Sequence, residues 1–152
     1  MYNEVLNQLP YKSSFLFVDT IISLDGNGVI GEYTLKPDAF FYEDHFPGYP
    51  VTPGVILTEI MAQIGVVVLG IYLIMQSEQF SSDKKILPLL TSSQVEFYKM
   101  VLPGEKLRVI SKKQYFRFNK LKCAVEMFNE KNEMIAKAIF SGMITSNTIT
   151  LL

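Results

Sequence analysis

His45 is the only histidine in this chain, and its loop carries prolines at positions 47, 50 and 53. An imidazole titrates near neutrality, so His45 can take or give a proton at cellular pH. Glu59 follows fourteen residues later, inside a long apolar run. Burial there disfavours the carboxylate and favours a protonated, proton-donating form. Between them stands Gly54, expected in the first turn of a helix, where backbone N–H groups lack partners and the helix dipole is positive. Such an N–H polarises a carbonyl and stabilises an enolate oxygen. A glycine also lets a substrate come close to the backbone. Base, acid and oxyanion donor together suit removal of a proton α to a carbonyl, with departure of a β-hydroxyl. The same residues also fit a plainer account: His45 as a structural hydrogen-bonder, Glu59 as a buried carboxylate paired across an interface, and the prolines as loop shapers.

These residues need rigid elements to hold them. A helix is expected from Pro53 to about Gln76, with Thr52 as N-cap and Pro53 at the first helical position. At 1.5 Å per residue it is about 36 Å long. It is apolar nearly all round, so something must wrap it. Gly65 and Gly70 within it cost helix propensity and point to close packing. Val55 to Met75 is long enough to span a bilayer, but it contains Thr58, Glu59 and Gln63 and lacks a close basic flank. A buried helix of a soluble protein is therefore expected, with no membrane span.

Phe15 to Leu24 reads as a strand, Asp25-Gly26-Asn27-Gly28 as a turn, and Val29 to Leu35 as the returning strand. Pro37 to Pro53 is irregular, and Ser77 to Lys85 is a polar loop. Four further strands are expected at about Leu87 to Tyr98, Lys106 to Phe118, Leu121 to Asn129 and Met134 to Thr145. In the last of them Met134, Ala136, Ala138 and Phe140 should share one face. The expected class is α+β, one domain over residues 1–152, with an antiparallel sheet curled round the long helix. Such a sheet leaves open edges, and dimerisation is the expected remedy.

The segment His45 to Gln63 closely resembles the β-hydroxyacyl-acyl carrier protein dehydratases of bacterial fatty acid synthesis. Their pattern is approximately His-Phe-Pro-Gly-x-Pro-x-x-Pro-Gly-x-x-x-x-Glu-x-x-x-Gln. His45, Phe46, Pro47, Gly48, Pro50, Pro53, Gly54, Glu59 and Gln63 stand at those positions. The likeness extends to Leu9-Pro10, Phe15 to Asp19, Val95 to Phe97 and Val101 to Leu107. The resemblance implies a hotdog fold and an active site at a dimer interface, where His45 of one subunit faces Glu59 of the other. It implies that His45 removes the α-proton of a 3-hydroxyacyl thioester on acyl carrier protein. Glu59 would assist loss of water, and the Gly54 N–H would hold the thioester carbonyl. Gly54, Gln63 and Val51 are the expected oxyanion and substrate contacts. Glu rather than Asp at position 59 resembles the branch that dehydrates without isomerising. Asp44 departs from the family, which commonly has Gly before the histidine, and so does Lys12-Ser13-Ser14, where a basic and bulky pair is common.

Composition bounds the rest. With 14 basic and 15 acidic residues, no nucleic-acid partner is indicated. One cysteine, Cys123, allows no internal disulfide and reads as a small core residue. His and Cys are too few for a structural zinc site, and no cofactor is expected. The N-terminus lacks the pattern of a signal peptide, so a cytoplasmic protein is expected. Lys106, Arg108, Lys112, Lys113, Arg117, Lys120 and Lys122 lie between Glu105 and Glu126 without an intervening acid. They form either a docking patch for an acidic carrier or a solvated strand face. A homodimer or a trimer of dimers is expected. Two other functions compete with dehydration: a hotdog acyl thioesterase, and a non-catalytic acyl-binding subunit.

Overall fold

An apolar helix of this length needs cover around most of its circumference, and the strands on either side of it in sequence supply that cover. The computed structural model describes residues 2–146. In chain order it contains α1 (Asn3–Asn7), β1 (Thr20–Asp25), β2 (Gly28–Thr34), α2 (Gly54–Met75), β3 (Ile86–Phe97), β4 (Lys106–Arg117), β5 (Lys120–Asn129) and β6 (Met134–Ser146). The six strands make one antiparallel sheet in the order β1-β2-β4-β5-β6-β3. This is the α+β, hotdog arrangement that the resemblance implies.

Alternation decides which face meets the helix. Leu107 and Val109 on β4, Leu121, Cys123 and Val125 on β5, and Phe140 on β6 are all buried. Ala136, Ala138 and Phe140 are buried as expected, but Ile135, just before Ala136, is buried too. There β6 meets a register shift at Met127/Phe128 of β5, which breaks the alternation. Helix and sheet approach closely at Gly65, where a Cβ would stand 3.0 Å from both Val125 methyls, and at Gly70, where it would overlap Ile144. By length and composition α2 could cross a membrane, yet 78% of its apolar window is buried by the rest of the chain. It is the core helix of this fold. Burial pushes the Cys123 thiol up to about 11, which leaves it an inert core group.

Between Gln63 and Val68 the helix widens to a π-helical stretch. Such bulges leave backbone groups in need of other partners. The Ser111 hydroxyl, buried on β4, donates to the Gly65 carbonyl at 2.8 Å.

Two local expectations differ from the structure for the same kind of reason. The first strand begins at Thr20, not Phe15, because Ser13–Phe15 forms a 3-10 turn and the backbone of Phe15 and Phe17 is bonded by the Gln63 side chain instead of by a neighbouring strand. At the helix start Pro53, not Thr52, is the N-cap, its carbonyl accepting from Ile56 and Leu57. The Thr52 hydroxyl instead shares a 2.6 Å hydrogen bond with the Tyr42 hydroxyl. The β4 cation run is also divided. Lys106 pairs with Glu32 at 2.9 Å, and Glu126, Lys137 and Glu96 stand side by side across β5, β6 and β3.

Candidate active site

The loop bearing His45 is closed on itself by its backbone. Phe46 and Tyr49 exchange hydrogen bonds at 3.0 and 2.8 Å, and the Val51 N–H donates to the His45 carbonyl at 2.9 Å. The Thr52 N–H then ties the end of the loop to Val101 at 2.9 Å. The half-buried imidazole stacks on Phe46 with ring centroids 4.2 Å apart. Its Nδ1 lies 2.8 Å from the Val51 carbonyl oxygen. A carbonyl only accepts, so in the neutral ring Nδ1 carries the proton. Nε2 is left with its lone pair, which is the atom a general base needs. Val51 thus holds His45 at two points, its carbonyl at the imidazole Nδ1 and its N–H at the His45 backbone carbonyl. Asp44 is exposed, and its carboxylate is not among the partners of His45.

Gly54 opens α2, so its N–H is among those that a helix leaves without an intrahelical partner. The Phe97 ring stands over it: a Cβ at Gly54 would lie 3.3 Å from that ring. One turn on, Glu59 is half-buried, and desolvation raises its carboxyl above the ordinary 4.5, with the Gln63 hydrogen bond acting the other way. The first of these effects is the larger, so the protonated form is favoured.

Gln63 is fully buried and has both ends of its amide occupied. Its oxygen accepts from Phe17 N–H at 2.8 Å, and its nitrogen donates to the Phe15 carbonyl at 2.9 Å and to Glu59 Oε1 at 3.0 Å. Sequence reasoning expected a substrate contact there. Within the chain these bonds join the segment before β1, the helix and Glu59.

Glu59 lines a cavity of about 190 Å³ whose other walls include Tyr11, Ala62, Val66, Leu89 and Ile144. Apart from Glu59 and Tyr11 the lining is apolar. It suits an alkyl chain with a polar group at one end. His45 and Gly54 are not in that lining, so one chain does not enclose all three groups in this cavity. Tyr11 was missed from sequence. The only hint was its place in the opening segment, beside Lys12-Ser13-Ser14, where the chain departs from its pattern.

A family model described as a FabA-like domain matches residues 9–139. The chain is 36% identical to a 3-hydroxyacyl-acyl-carrier-protein dehydratase FabZ from Geobacter metallireducens, over 108 residues, or 70% of this chain and 69% of that protein. A protein of the same name from Lawsonia intracellularis is 29% identical over 144 residues, 94% of this chain and 91% of the relative. Among solved structures, the dehydratase heterocomplex ApeI:P from Xenorhabdus doucetiae is similar in fold, with a TM-score of 0.76 at 15% identity over 93% of this chain and 90% of that one. A hypothetical thioesterase protein from Streptococcus pneumoniae, with coenzyme A, has a TM-score of 0.64 at 14% identity, covering 98% of this chain and all of that one. At those identities the two structures speak to the fold alone.

Proposed function

We propose that this chain, which belongs to the FabA-like family, removes water from a 3-hydroxyacyl thioester carried on acyl carrier protein and leaves the trans-2-enoyl thioester. It is a hydro-lyase of fatty acid or related lipid synthesis. The observation that carries this reading is a half-buried carboxyl, Glu59, raised by desolvation at the wall of an apolar cavity, on a chain whose one histidine has only Nδ1 bonded among the described residues.

The chemistry follows from the geometry. The thioester carbonyl rests on the Gly54 N–H, which lowers the cost of charge on its oxygen. His45 Nε2 takes the α-proton, and the resulting imidazolium is held through Nδ1 by Val51. The electrons of that C–H bond form the double bond as the β C–O bond breaks. Glu59 gives its proton to the departing hydroxyl, which leaves as water. Gln63 keeps Glu59 at the cavity wall and acts as a positioning residue, not a substrate contact.

The active protein in this reading is a homodimer, alone or as a trimer of dimers. Edge strand β3 has a partner on one side only, and it exposes Leu89, Leu90 and Phe97. Val55, next to Gly54, is 76% exposed. A second copy would cover these apolar groups and bring its own Glu59 cavity to His45. The acidic carrier is assigned to the far half of the β4–β5 hairpin, where Lys112, Arg117, Lys120 and Lys122 have no acid paired across from them. Unchanged carrier-dependent turnover in Lys112→Glu/Lys113→Glu would remove that assignment. One buried cysteine and a core helix covered by its own sheet are in keeping with a cytoplasmic enzyme.

The test is to supply a 3-hydroxyacyl carrier thioester and follow enoyl product, free thiol and binding. Enoyl product should form, and His45→Ala should lower its rate by about 10²- to 10⁴-fold. Thiol release without enoyl product would make the protein a thioesterase. Binding with neither product would make it an acyl-binding subunit.

A further inference from the structure

The catalytic groups named so far leave one protic side chain in the Glu59 cavity without a role. Tyr11 lines that cavity together with Glu59. Its ring packs on Phe15, with centroids 6.2 Å apart and planes tilted by 54°. Phe15 is in turn bound through its carbonyl to Gln63, and Phe17 through its N–H to the same amide. The one side chain that fixes Glu59 therefore also fixes the segment bearing Tyr11. Among the described residues, no hydrogen bond is made by the Tyr11 hydroxyl.

We infer that the Tyr11 hydroxyl donates a hydrogen bond to the oxygen on the β-carbon of the substrate, sharing with Glu59 the stabilisation of the departing hydroxyl. The inference rests on the dehydratase reading. It follows from what else the cavity offers. A β-hydroxyl brought to Glu59 enters a space whose remaining walls are apolar. An oxygen gaining charge there needs donors, and a donor in an apolar site acts more strongly than in water. Burial alone pushes the phenol above its usual range, and an ionised Glu59 would push it further, so in either state of Glu59 it stays neutral and keeps its proton to donate. No proton leaves Tyr11 in the step. The water formed takes its oxygen and one hydrogen from the substrate and its second hydrogen from Glu59.

The same placement predicts a selectivity. A thioester with a β-hydroxyl should be held better than its saturated counterpart, and Tyr11 should supply part of that difference. A tyrosine that only walls the cavity would not distinguish the two.

Tyr11→Phe tests this, because it removes one oxygen and keeps the ring on Phe15. The expected result is a kcat lower by about 10- to 100-fold, with KM raised by about 3- to 10-fold and an unchanged melting temperature. A second comparison uses the His45→Ala background, in which bound substrate is consumed slowly enough for binding to be read. There Tyr11→Phe should weaken binding of a 3-hydroxyacyl thioester by about 3- to 10-fold, and should leave the saturated acyl thioester unaffected. A wild-type kcat in Tyr11→Phe, or equal weakening of both thioesters, would overturn the inference. If the wild-type protein forms no enoyl product, the dehydratase reading fails by itself. The binding comparison then still decides Tyr11: a hydroxyl-selective loss upholds its role, and an equal loss removes it.

Discussion

Gln63→Leu separates two roles that the sequence left together for this residue. If Gln63 contacts substrate, the change should lower activity and leave stability nearly alone. If it is a clamp, stability must fall, and the size of the fall can be worked out. The buried Phe17 N–H loses its 2.8 Å acceptor. An orphaned buried donor costs about 1–3 kcal/mol. The partly buried Phe15 carbonyl loses a 2.9 Å bond, worth about 0.5–1.5 kcal/mol net. Leucine is close in size and apolar, so no large cavity adds to this. The sum centres on about 3 kcal/mol, or about 6–12 °C in melting temperature for a chain of this size. Thermal melts of wild-type and variant protein at equal concentration, followed by circular dichroism, measure it. Activity should also fall, because Glu59 loses its 3.0 Å partner. A melting temperature lowered by less than about 2 °C, with activity lost, would refute the clamp and return Gln63 to the substrate.

The raised carboxyl of Glu59 makes two predictions of defined sign. With Glu59 as the proposed acid, kcat should fall as pH rises through its folded pKa, which lies above 4.5; a rate flat across that range would exclude it as the acid. Because the folded pKa is the higher one, the stability this group contributes is full below its ordinary 4.5 and is lost as pH rises through the folded value. Glu59→Gln cannot ionise, so it should melt above wild type at about pH 8 and with little difference at about pH 4. Val55→Asp probes the dimer: an acid in the first turn of α2 favours the helix dipole within one chain, but a charge set in an apolar interface costs about 2–5 kcal/mol. Sedimentation should show monomers of intact secondary structure, and a dimer of wild-type affinity would place the interface elsewhere.

Much of the fold could be read because two periodicities are local. The apolar run from Val55 to Met75 is too long for a strand and too uniform for a surface helix, so it had to be wrapped. Strand alternation and the Asp25–Gly28 turn marked most of the sheet. The misreadings share a cause. Phe15 to Leu24 has strand composition throughout, but Gln63, more than forty residues away, takes the backbone bonds of its first part. Thr52 has the chemistry of an N-cap, but Tyr42 engages its hydroxyl. Both contests are settled by side-chain partners outside the local pattern, one ten residues back and the other more than forty residues on.

The site divides along the same line. Residue type and spacing were enough to single out His45, Gly54 and Glu59, because a lone imidazole, a helix-opening glycine and a carboxyl in an apolar run each carry their chemistry in their identity. Tertiary structure decided how those groups are held. It set the Val51 carbonyl against the imidazole, tied Gln63 to Phe15, Phe17 and Glu59, and put Tyr11 in the wall of the Glu59 cavity. The physical reason is that hydrogen-bond partnership depends on the ångström-scale geometry of the folded chain, and hydrophobic patterning sets only which faces are buried.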